Sequence, residues 1–209
     1  MPRVKICGIT NPEDARLACD LGADALGFIF YARSPRSITP DRARAIAGAL
    51  PPFLTKVGVF VNESAQVIRE ITDRVGLNLV QLHGGESPKY CRELRLPYTK
   101  VFRVQADFDV QEMGKYVDAV GFVFDTYRHD AYGGTGETFD WAIARQATQY
   151  GSIILSGGLS ANNVRAAIET VQPYAVDVAS GVEAEPGKKD PNKLRAFFHS
   201  VNEEMEASR

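Results

Sequence analysis

Short apolar runs alternate along the chain with stretches whose apolar residues recur three and four positions apart. The runs begin near Arg3 (RVKICG), Asp24 (DALGFIF), Thr55 (TKVGVFV), Asn78 (NLVQLHG), Thr99 (TKVFRV), Asp118 (DAVGFVFD), Ser152 (SIILSGG) and Ala175 (AVDVASG). Being short and apolar nearly throughout, they read as strands buried on both faces of a parallel sheet. Between them lie helix-start signals, most with an N-cap residue type followed by proline. Asn11-Pro12-Glu13-Asp14 precedes Ala15, Leu17, Ala18 and Leu21, and Gly22 closes that helix. Thr39-Pro40, Glu63-Ser64, Ser87-Pro88, Asp109, Phe139-Asp140-Trp141, Ser160 to Asn163 and Asp190-Pro191 open the others. Eight β-then-α units predict an α/β fold, a (β/α)8 TIM barrel forming a single domain over residues 1–209. A doubly wound open sheet is the alternative, but no switch point in strand order is evident.

Composition narrows the function classes. The chain has 209 residues, 44% hydrophobic and 24% charged, which excludes a disordered or fibrous protein. Its 24 basic and 26 acidic residues give a net charge of −2, so no binding to nucleic acid or anionic membrane through bulk charge is expected. No apolar run is long enough for a membrane span, and MPRVKICGIT does not read as a signal peptide. Cys7, Cys19 and Cys91 are odd in number and lack CxxC spacing, so neither a disulfide framework nor a zinc site is expected; a reducing cytoplasm is the natural location. His83, His129 and His199 show no metal-ligand spacing, so no bound metal is expected.

In such a barrel chemistry belongs to the C-terminal ends of the strands. Cys7 ends the first run, with Lys5 on the same side of the strand as a candidate cation to favour a thiolate; a small buried hydrophobe is the bland alternative. Asp125 ends the sixth run, where desolvation would suit a general acid. Strands one and six can face each other across a barrel mouth, making Cys7 and Asp125 an acid/base pair. Arg36 lies in the proline-stiffened Arg33–Ser37 loop, suited to bidentate carboxylate recognition. Asn62, His83 and Arg103 also end strands. Gly157-Gly158 and Ser180-Gly181 follow the last two runs, the recurrent phosphate site of barrels. The stretch from Gly181 to Lys189 approximates a P-loop but has one residue too many and no Ser/Thr after the lysine. Gly133-Gly134-Thr135-Gly136 is no dinucleotide fingerprint, but could form a flap over a ligand.

Several of these motifs occur together in one known family. The chain resembles the phosphoribosylanthranilate isomerases of tryptophan biosynthesis in Lys5 to Thr10 (KICGIT), Gly27 to Phe30 with Ser34-Pro35-Arg36, Val57 to Asn62 and Gln81 to Gly84. The likeness continues through Asp125-Thr126, Gly133 to Gly136, Phe139 to Trp141, Leu155 to Leu159, Asp177 to Glu183 and Lys189-Asp190. Gly85 departs from the family pattern, which has an acidic residue there. The resemblance implies an Amadori rearrangement without metal or cofactor. It implies that Cys7 is the general base and Asp125 the general acid. Arg36 would hold the anthranilate carboxylate, and Gly157, Gly158, Ser180 and Gly181 the phosphate. Lys5 and His83 are expected near the substrate. It also implies a small-molecule phosphosugar-anthranilate as partner, and a monomer or homodimer that carries one activity. The competing readings are another phosphosugar isomerase or epimerase barrel and a non-catalytic phosphometabolite-binding barrel.

Overall fold

A computed structural model describes residues 1–105, 107–126 and 141–202. Its centre is a closed barrel of eight parallel strands in sequence order: β1 (Arg3–Cys7), β2 (Ala25–Ile29), β3 (Thr55–Phe60), β4 (Leu79–Leu82), β5 (Tyr98–Val104), β6 (Gly121–Thr126), β7 (Ile153–Leu155) and β8 (Ala175–Val178). β8 closes the ring against β1. The eight apolar runs are these eight strands.

Seven α-helices occur among the described residues: α1 (Pro12–Asp20), α2 (Pro40–Ala47), α3 (Ala65–Val75), α4 (Pro88–Leu94), α5 (Trp141–Ala147), α6 (Val164–Val171) and α7 (Pro191–Asn202). The start signals work as capping predicts. Asn11, Thr39, Ser64 and Ser87 each accept a hydrogen bond from the backbone N–H three residues on, and each such cap stabilises its helix by about 1 kcal/mol. Side chains alternate along each strand. Ile6, Leu26, Phe28, Phe60 and Leu82 join helix residues such as Ala15, Ile68 and Leu94 in one buried cluster.

One expectation needs correction. The helix anticipated after Asp109 is a 3-10 stretch, Val110–Lys115. Met113 is the side chain it buries, too small an apolar face to hold a full amphipathic helix. The helix signalled by Ser160 to Asn163 starts at Val164, with Asn163 in the N-cap position. The failed P-loop match folds instead as an antiparallel ribbon, β9 (Glu183–Glu185) and β10 (Lys188–Lys189), laid beside the barrel mouth. The Gly133–Gly136 loop, His129 and the Phe139-Asp140 start fall outside the described residues.

Candidate active site

At the C-terminal ends of the strands a cavity of about 540 Å³, open to solvent, is bordered by Cys7, Arg36, His83, Asp125, Ser156 and Asp177. Cys7 pairs in register with Gly27 on β2. A Cβ at Gly27 would lie 2.7 Å from the Cys7 sulfur, so the glycine makes the space the thiol occupies. Burial pushes the Cys7 thiol up from its ordinary value, more than Lys5 and Lys189 pull it down.

Lys5 is not on the wall of this mouth. It pairs in register with Asp177 on β8, and their charged groups meet at 2.7 Å, both buried. Burial works against the Lys5 charge, but Asp177 and Cys7 together hold its pKa above the ordinary value. Its ammonium is thus matched by Asp177 and reaches the Cys7 sulfur. Lys5 is therefore a cation beside Cys7 that favours the thiolate without outweighing the effect of burial on the thiol.

Asp125 ends β6, buried, with Arg103 opposite it on β5. Its Oδ2 lies 3.2 Å from His83 Nε2. The other ring nitrogen faces the Gln81 amide nitrogen at 3.4 Å. His83 and Asp125 thus form a unit in the cavity wall.

Arg36 reaches the mouth over Gly8, whose φ of +75° and missing Cβ admit the arginine stem; a Cβ would meet Arg36 Cδ at 2.8 Å. Its guanidinium is already engaged. Nε donates to both Glu183 oxygens at 2.9 and 3.0 Å, and Nη2 to Oε2 at 2.7 Å. Burial would raise the Glu183 pKa, but Arg36 and Lys189 hold it below the usual carboxylate range. The sequence reading placed Glu183 in a family motif but gave it no role in the site. Glu183 reaches the site because the ribbon folds back.

A second cavity of about 230 Å³ shares Ser156, Asp177 and Ala179 with the first and is bordered by Gly157, Gly158 and Ser180. Gly157 and Gly158 have φ of +82° and +67°, successive left-handed residues that only glycine adopts without strain. Asn163 braces the turn, donating to Gly158 O at 2.9 Å and accepting from Ser160 N at 2.8 Å. Such a small backbone-lined concavity suits an anion of phosphate size. Gly181 does not border it; a Cβ there would lie 1.9 Å from Leu159 O, so Gly181 lets the two loops touch.

Asn62 and Arg103 have supporting parts. Asn62 Oδ1 accepts from Gly85 N at 2.7 Å, and Arg103 Nη2 donates to His83 O at 3.3 Å. Buried Glu86, which the sequence reading overlooked, accepts from Asn62 N, Gly84 N and Lys100 Nζ. It ties together the loops after β3 and β4, next to His83.

A family model for N-(5'-phosphoribosyl)anthranilate (PRA) isomerase matches residues 4–200. The chain belongs to the PRA isomerase family. An N-(5'-phosphoribosyl)anthranilate isomerase of Pelobacter propionicus is 50% identical over 203 residues, covering 97% of each chain. The crystal structure of the Thermotoga maritima family member superposes with a TM-score of 0.91 at 44% identity, covering 97% of this chain and 100% of that one. A PRA isomerase in complex with reduced 1-(o-carboxyphenylamino)-1-deoxyribulose 5-phosphate gives 0.87 at 42%, with the same coverage. A structure concerning the dimeric Thermotoga maritima enzyme gives 0.85 at 41%, again with the same coverage.

Proposed function

We propose that this chain catalyses the Amadori rearrangement of N-(5'-phosphoribosyl)anthranilate to 1-(2-carboxyphenylamino)-1-deoxyribulose 5-phosphate, the isomerisation of tryptophan biosynthesis. Family membership over residues 4–200 supports this reading. The observation that carries it is the division of labour around one cavity. Cys7 and Asp125 come from β1 and β6 and share that cavity with Arg36, while the Gly157-Gly158 turn borders the recess adjoining it.

The phosphate binds in the glycine-lined recess and the anthranilate carboxylate meets the mouth-facing side of Arg36. Anchoring both ends makes proton transfer effectively intramolecular. Asp125 donates its proton to the furanose ring oxygen. The C1–O bond breaks and the nitrogen lone pair forms the C1=N iminium. The Cys7 thiolate then takes the C2 proton, and the electron pair moves to give an enolamine. Protonation at C1 and loss of the enol proton leave the C2 ketone. The chemistry uses acid and base groups of the chain alone, with no cofactor step. His83, facing Asp125, fixes the direction of that carboxyl group. Because burial raises the Cys7 pKa, turnover that needs the thiolate rises with pH from neutral into the alkaline range.

Substrate generated in situ from anthranilate and phosphoribosyl pyrophosphate should lose its fluorescence rapidly on addition of the folded chain. No turnover by folded protein would leave a phosphometabolite-binding barrel as the function.

We infer a homodimer for the assembly. Phe53 is 100% exposed on the Pro51-Pro52 turn before β3. Beside it, at the N-terminal ends of the strands, opens a cavity of about 890 Å³ bordered by Ala25, Val57, Leu79 and Tyr174. A two-fold axis there would place each Phe53 against its partner's cavity. A dimeric relative supports this reading.

A further inference from the structure

The ribbon carries a fully buried lysine for which the mechanism has no use. Lys189 has 0% of its side chain exposed. Its ammonium donates to Cys7 O at 2.6 Å, Glu183 Oε1 at 3.0 Å and Ala179 O at 3.2 Å. Three acceptors use all three N–H groups, which only the charged form possesses. The backbone N–H of Lys189 donates to Asp14 Oδ2 at 2.7 Å, fixing the ribbon to α1.

Those three acceptors belong to different parts of the site. Cys7 O is the carbonyl of the base. Ala179 immediately precedes the Ser180 phosphate loop and borders both cavities. Glu183 is the carboxylate that grips Arg36. The ribbon turn is tied to Glu183 by Gly187 N at 3.2 Å and to the loop after β1 by Thr10 Oγ1, which donates to Gly187 O.

We propose that Lys189 is a positioning residue for the reaction, binding the base, the Arg36 anchor and the phosphate loop into one rigid frame. The proposal rests on the isomerase reading for its chemistry. A buried cation that satisfies two strand-end carbonyls and one carboxylate fixes their relative positions, and an error of about 1 Å in such a frame costs on the order of 10²-fold in rate. The same cation adds to the field at the Cys7 sulfur. The other charged groups around that sulfur are Lys5 on β1 and Asp177 on β8, with Arg36, His83 and Asp125 around the mouth.

The test compares wild type, Lys189→Met and Lys189→Gln as full chains. Lys189→Gln lacks the charge but keeps an amide that can reach a carbonyl. Lys189→Met should lower kcat per folded molecule by about 10²-fold while KM moves less than about threefold, because Arg36 keeps its bonds to Glu183. Lys189→Gln should recover part of the loss. The pH midpoint for alkylation of Cys7 by iodoacetamide, read on the Cys7 peptide, should rise in both variants. Wild-type kcat and an unmoved alkylation midpoint in folded Lys189→Met would overturn the proposal. If that variant does not fold, Lys189→Gln is judged by the same criteria. Failure of wild type to turn over substrate would refute the isomerase reading, while alkylation would still report whether Lys189 acts on Cys7.

Discussion

At the scale of single residues, the site is a set of charges and donors that neutralise one another before any substrate arrives. Lys5 meets Asp177, Arg36 meets Glu183, and Lys100 meets Glu86, each pair buried. Breaking one such pair leaves an uncompensated buried charge and is costly. Glu183 gives a pH-dependent example. Its pKa is depressed in the fold, so its contribution to stability is present above the ordinary carboxyl value and is lost as pH falls through the depressed one. Glu183→Gln should therefore melt below wild type at neutral pH, and the gap should narrow between about pH 5 and pH 3. A gap that widens on acidification would contradict the assignment. Cys7, Arg36, His83 and Asp125 were legible in the sequence because each stands at or just after a strand end, where a barrel gathers its chemistry. Lys189 and Glu183 were not. Their motif sits in a stretch whose folding back depends on pairing between β9 and β10, which no local periodicity announces.

Elements position these residues by register and by glycine. The β1–β8 register sets Lys5 opposite Asp177, and the β5–β6 register sets Arg103 opposite Asp125. Glycine supplies close approach where two loops or a loop and a side chain must touch. Gly181→Ala would drive a methyl group into Leu159 O. The loops can answer only by moving apart, so it should cost about 1–3 kcal/mol of stability and raise KM more than it lowers kcat, because the phosphate recess opens. Thermal melts and steady-state kinetics check both; unchanged KM would separate Gly181 from phosphate binding. All eight strands were readable, since buried parallel strands are apolar throughout. Helices opened by a capping residue and proline were readable too. The segment after Asp109 misled because its cap is real, with Asp109 accepting from Gln111 N at 2.9 Å, but Met113 alone is buried behind it. A cap starts a turn; burial decides whether it becomes a helix.

At the scale of the whole molecule, the two ends of the barrel do different work. One end gathers Cys7 and Asp125 around the mouth, and the other exposes Phe53 beside a cavity. Phe53→Glu should shift the chain from dimer to monomer in light scattering, with kcat within about twofold because the mouth is at the far end. A wild type that is monomeric at micromolar concentration would contradict the dimer. The barrel was legible from eight repeated units; the assembly was not, because an exposed phenylalanine in a Pro-Pro turn has meaning only beside the cavity the fold creates. The most direct test of the central claim is kcat for Cys7→Ser, measured beside its dissociation constant for reduced 1-(o-carboxyphenylamino)-1-deoxyribulose 5-phosphate. With Cys7 as the base, kcat falls by about 10²–10⁴-fold while the dissociation constant stays near that of wild type. A folded Cys7→Ser variant that turns over substrate at the wild-type rate would contradict it.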